Sequence, residues 1–135
     1  DIDGQKTALH ICEDSWDPAG AAVAALEGLD IDMLVNLSAS PYYRSKLNDR
    51  IGVLAQTAQE LDTTLFYCNL VGGQDELVFD GASMVFGPDG SCLARAKQFQ
   101  EDLLYFDGQA GKPAPHSDSK LQQEFLEDPV RGMTA

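Results

Sequence analysis

Ala8-Leu9-His10-Ile11-Cys12-Glu13-Asp14-Ser15-Trp16 reads as an apolar strand running into a thiol, two carboxylates and an indole. A cysteine where a strand ends and the chain turns presents its sulfur at the edge of a sheet, a placement suited to a nucleophile. A single cysteine is otherwise a small hydrophobe with an inert thiol. The neighbours argue against that reading. A strand continuing into a core would bury Glu13, Asp14 and Asp17 without partners, which is unfavourable. Cys12 is therefore expected to face a polar pocket. His10 lies two residues upstream, on the same face and about 6.6 Å away. It fits either a Cys-His pair or a satisfied core histidine, and the second reading is preferred.

Outward from this stretch, strand and helix signals alternate, which predicts an α/β organisation. Residues 6–12 form the first strand. Asp17-Pro18 offers an N-cap and a first-turn proline for an alanine-rich helix over 19–29. The near-continuous apolar run 31–37 suits a strand covered on both faces. After a loop broken by Pro41, Leu47, Ile51, Leu54, Ala55, Ala58 and Leu61 recur at helical spacing, predicting a helix over 45–62. A strand over 63–71 is expected to break at Gly72-Gly73. The turn Gly87-Pro88-Asp89-Gly90 then predicts two antiparallel strands, 81–86 and 92–97. A short strand is expected over 103–106. From Asp107 the composition shifts to Gly, Pro, Ser and Lys, as in a linker, followed by a short helix over 119–126.

Composition narrows the function. The 135 residues carry a net charge of −13, which disfavours nucleic acid and anionic membrane surfaces as partners. No apolar run approaches the roughly 20 residues needed to span a bilayer. Three widely spaced cysteines (Cys12, Cys68 and Cys92) suit reduced thiols in the cytoplasm better than a disulfide framework or a zinc site. The acidic group Asp75, Glu76 and Asp80 lacks a dense ligand pattern and reads as a solvated or subunit-facing loop. The opening at Asp1, directly before a strand, and the end at Ala135 after a helical stretch suggest a piece of a longer protein.

Four segments carry a family resemblance: Ile11-Cys12-Glu13-Asp14-Ser15-Trp16; Asn36-Leu37-Ser38-Ala39-Ser40-Pro41 with Lys46 and Arg50; the run from Tyr67-Cys68-Asn69 through Gly72-Gly73-Gln74-Asp75 to Asp80-Gly81-Ala82-Ser83; and Phe99-Gln100-Glu101-Asp102-Leu103. Together they resemble the glutaminase domain of the glutamine-dependent NAD synthetases, a branch of the nitrilase or carbon–nitrogen hydrolase superfamily. The third run separates this branch from general nitrilases. The resemblance implies a four-layer α-β-β-α sandwich, of which residues 1–107 would be the C-terminal half, with 108–135 a connector towards a synthetase domain. It also implies catalysis by a glutamate base, a lysine and a cysteine. Cys12 matches the nucleophile, and the other two would belong to the half preceding residue 1. Lys6 is about 20 Å along the strand and Glu13 is expected on the opposite face, so neither substitutes.

By the same resemblance, Ser40 and Lys46 match glutamine-binding positions. Lys46 also reads as an ordinary first-turn helix lysine. Glu13 could meet the substrate ammonium or be a solvated turn acid. Trp16 could wall the pocket or fill the core. For Arg50 a structural salt bridge holding its helix against the loop 38–41 is favoured. The implied substrate is glutamine, and the implied partners are the preceding half-domain, a downstream synthetase domain and further copies of the chain. ATP and magnesium would serve that synthetase domain. Its Ser-Gly-Gly-x-Asp-Ser type of phosphate loop has no match here, so no cofactor is assigned to this chain. A stand-alone amidase and a catalytically inactive half-domain remain alternatives, and without its partners Cys12 is expected to be inactive.

Overall fold

The computed structural model describes residues 1–106. The expected linker, the 119–126 helix and the 108–135 connector lie outside the described residues. Five strands form the main sheet in the order β1 (Thr7–Ile11), β2 (Met33–Ser38), β3 (Thr64–Asn69), β6 (Met84–Phe86) and β7 (Cys92–Arg95). The first three run parallel, with Ile11 opposite Leu37 and Leu37 opposite Cys68. Parallel neighbours need long crossovers. The β2-to-β3 crossover carries α2 (Lys46–Glu60), and the β1-to-β2 crossover carries a single helical turn, α1 (Ala21–Ala24).

The apolar stripe of α2 forms as expected. Leu47, Leu54 and Ala58 are buried against Leu34, Leu65, Tyr67, Met84 and Phe86, and Ile51, Ala55 and Leu61 pack beside them. These sheet residues share one face, since registered partners across strands point the same way. The opposite face is largely bare. Leu9, Ile11 and Leu37 are 66%, 70% and 52% exposed. The second strand is thus fully buried on one face only, with Leu34 and Asn36 inside, Met33 and Val35 half-buried and Leu37 exposed on the other.

Three other expectations are corrected. The alanine-rich helix is one turn rather than residues 19–29. Only Val23 in it is buried, and Leu26 already bonds back three residues to Val23 as the helix tightens. So short a helix needs tertiary packing to persist. Gly72-Gly73 does not end the strand region. It lies in β4 (Val71–Gln74), which pairs antiparallel with β5 (Leu77–Asp80), Gly73 opposite Val78. Backbone ladder bonds need no side chains, and Gly72 uses a φ of +139° open to glycine. Residues 103–106 form no strand; their Phe106 packs edge-on against Phe66, at 6.0 Å. The turn before β7 follows expectation, with Gly90 at φ +78° and Gly90 N donating to Gly87 O.

Candidate active site

The loops after β1 and β2 leave the sheet at the same edge, the carboxyl ends of its parallel strands, where α/β proteins gather their ligand sites. Cys12 is the first residue of a 3-10 turn, Cys12–Ser15, and takes a φ of +49°. Left-handed backbone at a non-glycine residue is unfavourable and persists only where neighbours hold it. Four contacts do so here. Asp14 Oδ2 accepts the Ile11 N–H at 2.8 Å, and Asn36 Nδ2 donates to the Cys12 carbonyl at 3.1 Å. Asn36 Nδ2 also donates to Ser15 Oγ at 2.9 Å, and Thr57 Oγ1 on α2 donates to the Ser15 carbonyl at 3.1 Å. The turn is therefore clamped from β2 and from the helix.

His10 belongs to this clamp. It is buried, with Nδ1 2.8 Å from Ser15 Oγ. Because Ser15 accepts from Asn36, its hydroxyl proton is free for Nδ1, which favours the Nε2–H tautomer. This is the satisfied-histidine reading. Of the three acids near Cys12, Asp14 caps the turn and Asp17 Oδ1 accepts the Ala19 N–H, so neither serves the sulfur. Glu13 remains exposed and within electrostatic reach of Lys46.

Lys46 opens α2. Its ammonium lies 4.2 Å from the Trp16 ring centroid and 4.6 Å from that of Tyr43. Cation–π contact on two sides holds a flexible side chain in place. Burial, then the Arg50 guanidinium, push the Lys46 pKa below the usual lysine value, while Cys12, Asp80 and Glu13 oppose that shift. Lys46 is therefore a held cation in the field of the thiol. Cys12, Glu13, Trp16 and Lys46 converge in this way.

Ser40 is buried in the loop after β2, its N–H donating to Asn69 Oδ1 at 3.0 Å, and its hydroxyl lies beside the Tyr67 phenol. Arg50 is structural, as expected, but its partner is Asp80. The two form a bidentate pair, Nη2 to Oδ1 at 2.8 Å and Nη1 to Oδ2 at 3.1 Å, with both side chains fully buried. Asp80 is thus no member of a solvated acidic loop, although Asp75 and Glu76 are exposed. Residue-by-residue reading missed Tyr43, Asn36, Thr57 and the Asp80 pairing. Tyr43 precedes the helix and meets Lys46 only because the chain turns at Ser45, whose φ is +71°, so helical spacing gave no signal for it. A cleft of about 550 Å³ lined by Val71, Gly73, Phe79, Phe99 and Glu101 holds none of these residues.

Cys12 thus stands strained at the carboxyl end of a parallel strand, within electrostatic reach of a held lysine, and sequence comparison places the chain in a family. Residues 1–112 match the carbon-nitrogen hydrolase family, and the chain belongs to that family. Within it, the chain is similar to glutamine-dependent NAD(+) synthetases. It is 45% identical over 105 residues to the one from Aquifex aeolicus, covering 77% of this chain and 18% of that protein. The structure of the Acinetobacter baumannii glutamine-dependent NAD+ synthetase in complex with ADP superposes with a TM-score of 0.70 at 37% identity, over 76% of this chain and 19% of the other. A mutant amidase from Nesterenkonia sp. AN1, carrying the acetamide moiety of fluoroacetamide covalently at its active-site cysteine, gives a TM-score of 0.56 at 31% identity, over 69% and 34% of the two chains. The chain thus spans about 18% of the length of the curated relatives it matches.

Proposed function

We propose that this chain is the nucleophile-bearing part of the glutaminase of a glutamine-dependent NAD synthetase. The observation that carries the reading is Cys12 itself, held at φ +49° at the end of β1 with the Lys46 ammonium in its field. In the reaction, the Cys12 thiolate attacks the side-chain amide carbon of glutamine. The C–N bond breaks, the nitrogen takes a proton and leaves as ammonia, and a γ-glutamyl thioester remains. Water then adds to the thioester, releasing glutamate and restoring the thiol. The glutamate and lysine that would move these protons lie outside this chain, in the preceding half-domain.

Free glutamine carries an α-carboxylate and an α-ammonium. Lys46 offers the first a charge-assisted partner, and Glu13 offers one to the second. Trp16 walls the pocket, and Ser40 lines it from the β2 loop. The uncovered face at Leu9, Ile11 and Leu37 would pack on a second sheet, completing an α-β-β-α sandwich. Ammonia would pass to a downstream domain for ATP-dependent amidation of deamido-NAD. That chemistry uses none of the residues described here.

The test is substrate choice by the complete protein that contains this sequence. Glutamate release from glutamine, abolished by Cys12→Ala and far faster than release from short aliphatic amides, supports the reading. Preference for the aliphatic amides would make it a general amidase of the same superfamily.

A further inference from the structure

Beyond the residues facing the pocket lies a buried polar network whose centre is Asp80. Every acceptor position of this carboxylate is engaged. Oδ1 accepts from Arg50 Nη2 at 2.8 Å and from Asn69 Nδ2 at 3.4 Å. Oδ2 accepts from Arg50 Nη1 at 3.1 Å and from Gln98 Nε2 at 3.0 Å. Asn69 Nδ2 and Arg50 Nη1 also reach the Gly81 carbonyl, at 2.9 and 3.3 Å. The network extends to both substrate-facing loops. Asn69 Oδ1 holds the Ser40 N–H, and Arg50 sits one turn beyond Lys46 on α2. Gly81 has a φ of +64°, and a Cβ there would lie 3.2 Å from Val71 Cβ, so the corner carrying Asp80 has little room to shift.

A fully buried ion pair is a poor way to gain stability, because desolvation offsets much of the attraction and apolar side chains of like volume do as well. What it does supply is fixed geometry. We infer that Asp80 is a positioning residue for the glutamine pocket, setting through Asn69 and Arg50 where the Ser40 loop and the Lys46-bearing first turn of α2 stand relative to Cys12. Charge adds a second consequence. The charged and titratable groups facing Lys46 are Arg50 on its own helix, Tyr43 just before that helix, Cys12 and Glu13 on the turn, and Asp80 at the end of β5. Asp80 counters the Arg50 guanidinium that otherwise drives the proton from Lys46. Neutralising Asp80 therefore makes Lys46 lose its charge at lower pH.

The inference rests on the glutaminase reading, and its test separates the two. In the complete protein, Asp80→Asn is expected to raise the glutamine KM by about ten- to a hundredfold, the range for a misplaced binding group. The kcat is expected to change far less, and the alkaline limb of kcat/KM to move to lower pH. Asn69→Ala, which frees the Ser40 N–H and leaves the ion pair in place, is expected to raise KM without moving that limb. It also serves if Asp80→Asn does not fold. Leu54→Ala, a core truncation away from the pocket, is the control for simple loss of stability. Activity of the synthetase with added ammonium should be unchanged in all three. A glutamine KM within twofold of wild type in Asp80→Asn or Asn69→Ala overturns the inference, as does an equal KM rise in Leu54→Ala. Absence of glutamine hydrolysis in the wild-type protein would instead overturn the glutaminase reading.

Discussion

The bare face of the sheet makes a quantitative prediction about this chain in isolation. Leu9, Ile11 and Leu37 are 66%, 70% and 52% exposed and lie side by side, since Ile11 is opposite Leu37 and Leu9 stands two residues before Ile11 on the same face. Full burial of such a side chain is worth about 1.5–3 kcal/mol. Covering what remains exposed on all three is therefore worth about 3–6 kcal/mol. Replacing all three by threonine places β-branched side chains that suit strands at each position and removes roughly half of that apolar gain. The chain is accordingly expected to self-associate with rising concentration. The triple variant Leu9→Thr, Ile11→Thr, Leu37→Thr should weaken that association by at least about tenfold, since half of the gain is about 1.5–3 kcal/mol. Sedimentation velocity over a hundredfold range of concentration reads this directly, with circular dichroism as a check on strand content. A wild-type chain that stays monomeric and unfolds cooperatively, indistinguishable from the variant, would refute the view that this face is an unfilled packing surface.

Further expectations follow from single groups. Arg50→Met strands the Asp80 carboxylate in a dry site and should destabilise the fold by about 3–5 kcal/mol in denaturant titrations; an effect below about 1 kcal/mol would contradict its burial. Cys12→Gly should be more stable than Cys12→Ala by about 1 kcal/mol, because glycine takes φ +49° without the alanine strain, whereas ordinary backbone there would favour alanine. Burial raises the Tyr67 pKa above 10.0. The folded state therefore keeps a proton that the unfolded state loses, and stability should fall as pH rises above about 10. Tyr67→Phe should flatten that decline. Thiol labelling should modify exposed Cys68 well before Cys92, whose pKa is raised chiefly by burial; in the complete protein, a covering sheet should protect Cys68 as well.

Periodicity and turn chemistry made most of the fold legible. The 3.6-residue stripe of α2 and the Pro-Gly turn before β7 are local signals, and both describe what is there. The failures share a physical cause: each depended on what lay across the fold. Alanines over 19–29 have helix propensity but only Val23 finds a core to bury in, so the helix shrinks to a turn. Gly72-Gly73 looks like a breaker until β5 offers its backbone a ladder. Asp80 looks solvated beside Asp75 and Glu76 until Arg50, thirty residues away, is seen to meet it. The strand-end cysteine was readable because its flanking acids are unusual for a core strand. That Asp14 and Asp17 serve the turn rather than the sulfur required the hydrogen bonds themselves.

The central claim is that Cys12 forms a covalent bond to the substrate, and one measurement reaches it directly. The complete protein is mixed with glutamine, quenched in acid within the first turnover, digested and mapped by mass spectrometry. The expected result is a γ-glutamyl thioester on the peptide containing Cys12, absent from the Cys12→Ala variant, which also releases no glutamate. Glutamate release that persists in Cys12→Ala, or an adduct on Cys68 or Cys92 with Cys12 unmodified, would contradict the account.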